Sequence, residues 1–251
     1  MSNEFSMFED DTLDVMDTFA DIVYCIDLTS SMTPIINKVK ETATTLHSEL
    51  QALMEKNYQR KIKRLRIKII GFRDAYCDGR LSFEISKFFD LPSETQEFQA
   101  FVDSLQAKGG GDRPENALEA LALAIKSDWC QTLDSNIRKR HIIVLFTDAP
   151  AHKLEQSLEG IDENYPKDMP KDYSDLIDWW GQQKSERSNV KTTIDNVAKR
   201  MGVFAPRDAY PWDFMAEGDF DNCMVSHINP DKGGEDISTL RILKMLSETL
   251  A

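Results

Sequence analysis

Three features of the sequence predict an α/β chain with a doubly wound (Rossmann-like), mostly parallel sheet and helices on both faces. Short, near-continuous apolar runs recur along it, as strands buried on both faces require. Longer segments between them repeat their apolar residues at helical spacing. Loops rich in carboxylates and hydroxyls follow the strand ends, where open α/β sheets collect ligands. Strands alternating with helices imply crossover connections and parallel neighbours.

The elements follow in order. Ala20 to Asp27 (ADIVYCID) is the first buried strand. Pro34 then opens a helical pattern through about Lys56, in which Ile35, Ile36, Val39, Ala43, Leu46, Leu50 and Leu53 share a face. Leu65 to Arg73 and Leu81 to Phe88 read as strands. A helix from about Glu94 to Ala107 is stopped by Gly109-Gly110-Gly111, and an Ala- and Leu-rich helix runs from about Pro114 through Ser127. His141 to Thr147 (HIIVLFT) is the clearest strand. Val190 to Arg200 reads as a helix, Met201 to Ala205 and Cys223 to Ile228 as strands, and Asp236 to Leu250 as a closing amphipathic helix.

The chain reads as one domain, residues 20–251, preceded by an acidic arm, residues 1–19. The arm mixes Phe5, Met7, Phe8, Leu13, Val15 and Met16 with Glu4, Glu9, Asp10, Asp11, Asp14 and Asp17, and holds no Lys or Arg. That pattern opposes the basic start of a secretory signal, and the expected state is a solvated tail. Docking on a neighbour or on the metal face is the alternative. A second irregular stretch, about 152–189, contains Pro166, Pro170, Tyr173, Trp179 and Trp180. Connections of that length are usually functional or partly disordered. Adjacent tryptophans on a helix cannot both point inward, so Trp179 is either an exposed anchor or core.

Composition narrows the function classes. Hydrophobic content of 41% with 29% charged residues is ordinary for a water-soluble protein. Acidic residues outnumber basic ones 43 to 30, and a net charge of −13 disfavours phosphate backbones and anionic lipid. No apolar run approaches the roughly 20 residues of a membrane span. Cys25, Cys77, Cys130 and Cys223 form no C-x-x-C pair, so neither zinc nor a redox motif is indicated and a reducing cytoplasm is expected. Cys25 and Cys223 lie in apolar runs as buried thiols.

The strongest chemical signal is Asp27-Leu28-Thr29-Ser30-Ser31-Met32, directly after the first strand. A carboxylate and two hydroxyls at alternate positions offer hard oxygen ligands, suited to Mg²⁺ with some retained waters. The alternative is that Thr29 and Ser31 only cap the helix near Pro34. Two further loops favour the metal: Phe146-Thr147-Asp148-Ala149-Pro150 adds a second carboxylate, and Gly109-Gly110-Gly111-Asp112-Arg113-Pro114-Glu115 a third.

In order and spacing, Asp27-x-Thr29-x-Ser31, Gly110-Gly111-Asp112 and Phe146-Thr147-Asp148 resemble the metal-ion-dependent adhesion site of von Willebrand factor A domains. The resemblance covers roughly Ala20 to the C-terminus. It implies one Mg²⁺, with Mn²⁺ or Ca²⁺ as alternatives, held by Asp27, Thr29, Ser31, Asp112 and Asp148. Gly71-Phe72-Arg73-Asp74, Thr147 to His152 and Tyr210-Pro211-Trp212 are similar to intracellular members, including those linked to alpha-kinases and bacterial stress proteins. Thr29 replaces the usual first serine, which keeps the hydroxyl. Asp112 stands where adhesion receptors carry threonine, and a third anionic group implies tighter metal retention and less need for a partner's carboxylate. Whether Asp112 coordinates directly, through water, or only caps the Pro114 helix stays open.

His152 is either a group behind the ligands or a surface histidine. Arg73 and Asp74 either pair with each other or brace the metal loop. The functional expectation is a divalent-cation-dependent protein-binding module, an adaptor or regulator, with no nucleic acid or membrane partner. The alternative is a metal-assisted hydrolase or phosphoryl-transfer enzyme using the same carboxylates. Against catalysis, Thr29 occupies the place of the second aspartate of aspartate-nucleophile phosphatases, and no nucleophile elbow or phosphate-cradling glycine loop appears.

Overall fold

A computed structural model describes residues 17–110, 113–154, 165–181 and 191–251. Its seven-stranded sheet has β1 (Asp17–Asp27) at the centre, flanked by β2 (Ile62–Phe72) and β5 (Ile137–Phe146), both parallel to it. Strands β6 (Lys199–Pro206) and β7 (Cys223–Ile228) continue in parallel beyond β5. On the other side, β3 (Phe83–Ile85) and β4 (Phe89–Leu91) both pair antiparallel with β2, giving the order β3-β2-β1-β5-β6-β7. The single strand expected from Leu81 to Phe88 is therefore two short ones, separated by the chain around Ser86. There the Ser86 hydroxyl takes the Ile69 N–H and donates to the Lys87 carbonyl, which turns the strand between its two pairings. Strand β1 starts at Asp17, three residues before the start read from the sequence.

Alternation along β1 divides the interior. Ile22, Tyr24 and Ile26 face one helical layer, made by α1 (Thr33–Thr42), α2 (Leu46–Tyr58), α3 (Thr95–Ser104) and α7 (Thr239–Leu250). Val23 and Cys25 face the other, made by α4 (Ala117–Ile125), α5 (Tyr173–Gly181) and α6 (Trp212–Glu217). The pattern through Lys56 breaks into two helices across Ala43 to Thr45, where the Thr42 hydroxyl bonds back to the Lys38 carbonyl. Helix α7 begins three residues after the Asp236 start read from the sequence, because the Ser238 hydroxyl accepts the Arg241 N–H as an N-cap.

The helix expected over Val190 to Arg200 is not formed in the described part. The Thr192 and Thr193 hydroxyls bond the Ile125 and Ser127 carbonyls, tying an extended chain to the end of α4. The Asp195 N–H is taken by His141 Nδ1, and its carboxylate accepts from Val197 N and Ala198 N. Side-chain bonds to backbone groups here replace the helical ladder. Within the irregular stretch, α5 lays Leu176, Trp179 and Trp180 against α4. Trp179 is buried, so it is core rather than an exposed anchor. Among the described residues no helix is long and apolar enough to cross a membrane. All four cysteines are free; Cys25 is buried and Cys223 half-buried.

Candidate metal centre

The site lies at the carboxyl ends of the central strands. Asp27 ends β1 beside Phe72 of β2, and Thr147-Asp148 follow β5, whose Phe146 pairs with Ile26. Backbone bonds pin the loop after β1: Leu28 N–H donates to the Phe72 carbonyl, and the Leu28 carbonyl accepts from Lys108 N–H. The strand ends thus set the spacing between the two acids, and the 108–110 loop sets the spacing to Thr29.

Asp27 is fully buried. Its Oδ1 accepts from Thr29 N at 2.9 Å and from Thr29 Oγ1 at 2.7 Å, while Oδ2 accepts from Thr147 Oγ1 at 2.8 Å. Thr29 Oγ1 lies 3.3 Å from Ser31 Oγ. Burial pushes the Asp27 carboxyl up to about 6; the Thr29 and Thr147 hydrogen bonds oppose this, and the charge of Asp148 adds to it. Asp148 is 1% exposed, and its Oδ2 has no hydrogen-bond partner among the described residues. Two acids are therefore shut away from water with fewer donors than their oxygens can use, an arrangement that favours a cation.

The structure brings Asp27, Thr29, Ser31 and Asp148 to one end of the sheet, with Thr29 buried and Ser31 exposed. Asp112 lies outside the described residues. Among the described residues no three His, Cys, Asp or Glu side chains converge as ligands, so the donors there are two carboxylates and hydroxyls. That oxygen-only set fits a hard divalent ion and suits soft or nitrogen-seeking metals poorly.

Gly110 has a positive φ of 80°, and a Cβ there would lie 2.8 Å from Thr29 Cβ. The glycine run read as a helix stop therefore also lets the loop close against the hydroxyl-bearing turn. Ser30 Oγ completes that closure by donating to the Gly109 carbonyl at 3.0 Å.

Arg73 and Asp74 do not pair with each other. Arg73, 2% exposed, donates to the Lys108 carbonyl at 2.8 Å, the Gln106 carbonyl at 2.7 Å and the Leu81 carbonyl, and meets Glu84 at 2.9 Å. It braces the chain that enters the glycine loop. Asp74 instead accepts the Tyr76 N–H and lies 3.1 Å from His152 Nε2, with the Tyr76 ring packed on the imidazole at 4.7 Å.

Sequence reasoning missed what lies beneath these residues. Glu119 is buried on α4, with one oxygen accepting from Tyr165 at 2.7 Å and Oε2 without a partner among the described residues. Burial raises its carboxyl to about 7. The available signal was a glutamate inside the otherwise apolar run ALEALALAI. Thr147, beside the expected ligand Asp148, is the donor to Asp27.

Residues 89–164 match a family described as von Willebrand factor A domain. Over 151 residues the chain is 26% identical to "Alpha-protein kinase vwkA" of Dictyostelium discoideum, covering 60% of this chain and 21% of the kinase. The chain thus spans about a fifth of that curated relative. The pilus adhesin SpaC of Lactobacillus rhamnosus GG superposes on 93% of this chain and 30% of its own, with TM-score 0.53 and 12% identity, a likeness of fold alone. The SpRpn10 VWA domain aligns over 92% of this chain and 96% of its own at TM-score 0.48 and 11% identity.

Proposed function

We propose that this chain, whose residues 89–164 match the von Willebrand factor A family, is a divalent-cation-binding interaction module, an adaptor or regulator that engages a protein partner through the carboxyl end of its sheet. The observation that carries this reading is the enclosed Asp148 Oδ2 without a hydrogen-bond donor, beside the buried Asp27 carboxylate. Asp27, Thr29, Ser31 and Asp148 would hold the ion, with Asp112 as the fifth candidate and Mg²⁺ the first choice for so hard a donor set. When bound, the ion supplies positive charge and a coordination position for an oxygen from the partner.

The chain's own residues do the rest. Thr147 and the Thr29 N–H hold the Asp27 carboxylate in one orientation. Arg73 fixes the glycine loop that closes on Thr29. Asp112 as an additional acid would neutralise more of the ion's charge and lessen its pull on a partner's carboxylate. Free cysteines throughout suit the reducing cytoplasm expected of such a module. The kinase activity in the relative's name is no part of this reading.

The test is a thermal melt with Mg²⁺ or Mn²⁺. At about a hundredfold its Kd the ion should stabilise the wild type by about 2.7 kcal/mol by mass action. Asp27→Ala should lose most of that gain, and its affinity capture from the native cell should lose partners that the wild type retains. An equal metal response in Asp27→Ala would sink the site. Metal-dependent turnover of generic phosphate esters or peptides, lost in Asp27→Ala, would establish catalysis instead.

A further inference from the structure

The opposite end of the sheet carries a cluster of cations on this net-acidic chain. Arg60 precedes β2, whose Ile62 sits beside Thr18 of β1, and Arg138 of β5 sits on the other side of Thr18. Arg200 lies at the start of β6. Several neighbours there are neutralised: Lys63 by Asp17 at 3.1 Å, Arg64 by Asp90 at 2.9 Å and Lys139 by Asp195 at 2.6 Å. Others are not. Arg200 donates to the Val197 and Lys199 carbonyls, and Arg138 has no hydrogen bond or ion pair among the described residues, while Arg60 donates to a carboxylate oxygen of Ala251. Lys61 is exposed on the same rim, beside a cleft of about 480 Å³ that it lines with Asp17, Glu55 and Gln59. Arg60 and Arg200 both hold the Arg138 guanidinium below its ordinary range, after burial, so the three repel one another across the rim. An anion there would relieve that repulsion.

We propose that this rim is a docking surface for the chain's own residues 1–16, their carboxylates facing Arg60, Lys61, Arg138 and Arg200. Continuity selects this occupant. Residue 16 joins β1 at Asp17, so the segment is attached at the rim itself and not at the metal face. Charge selects it too: Glu4, Glu9, Asp10, Asp11 and Asp14 are present with no Lys or Arg. A tether this short gives an effective concentration on the order of millimolar, so weak contacts suffice.

The experiment is limited digestion of the full chain by a glutamate-specific protease, following release of the N-terminal fragments after Glu4 and Glu9 by mass. In wild type at low ionic strength these cuts should be slow. They should accelerate on the order of tenfold when salt shortens the Debye length to about 8 Å or less. Arg138→Glu should be cut fast at low salt. The double variant Asp10→Lys, Asp11→Lys, which leaves the folded body unaltered, should be cut equally fast. A wild-type arm cut as fast as both variants at low salt overturns the proposal and leaves the rim to another anion. Protection that fades on dilution overturns it as well, because the occupant is then the arm of a second copy. No metal is involved, so the outcome is independent of the site at the other end.

Discussion

Glu119 offers a direct measure of what burying an acid costs this fold. It is 2% exposed on α4, and burial raises its carboxyl from 4.5 to about 7. Because the folded value lies above the unfolded one, the native state binds the proton more tightly between these pH values. Stability contributed by this group is therefore complete below about pH 4.5 and falls away as pH rises towards 7. The shift corresponds to about 3 kcal/mol at 1.36 kcal/mol per unit. Glu119→Gln keeps the length and the acceptor oxygen for Tyr165 but cannot ionise. Urea denaturation of both proteins at pH 5 and pH 8 isolates the effect, since other titrating groups cancel in the difference. The variant should gain on the order of 2–3 kcal/mol relative to wild type between the two pH values. A difference that stays constant across the range would refute the argument that Glu119 ionises inside the fold.

Two further outcomes follow from packing. Trp180 is 1% exposed, donates to the Asp221 carbonyl at 2.8 Å and has Lys199 Nζ 4.8 Å from its ring centre. Trp180→Ala should cost about 3–5 kcal/mol by chemical denaturation, and a loss under about 1 kcal/mol would mean α5 is not part of the cooperative core. Arg73→Lys keeps the charge but loses the planar fork that reaches the Lys108, Gln106 and Leu81 carbonyls. It should weaken Mg²⁺-induced stabilisation as well as lower the melting temperature, and a lowered melting temperature with the full metal response would limit Arg73 to a structural role.

The sheet was legible because its inner strands are apolar on both faces. Val144, Leu145 and Phe146 of β5, like Ile22 to Ile26 of β1, leave few other readings. The loops after those strands were legible for a related reason, since an acid and hydroxyls immediately beyond a buried strand have few purely structural uses. What the sequence concealed depends on contacts distant along the chain. Thr192 and Thr193 leave the helical pattern because α4, more than sixty residues earlier, offers them carbonyls. Arg73 turns away from adjacent Asp74 because the chain entering the glycine loop presents two carbonyls, and the turn at Leu81 a third, to one guanidinium. Glu119 lies inside an apolar run, and the partner that meets its carboxylate, Tyr165, stands forty-six residues further along the chain.

Helix α4 has no wet side: eight of its nine residues are buried, and the ninth, Leu123, is half-buried. Leu176, Trp179 and Trp180 supply part of that cover, from the stretch that departs from the regular strand–helix alternation. Helix α5 is thus a roof. Related chains in which it is shortened must repaint the outward positions of this helix with polar residues or roof it with another subunit, and the loss of those tryptophans should travel through evolution together with the alanines beneath them.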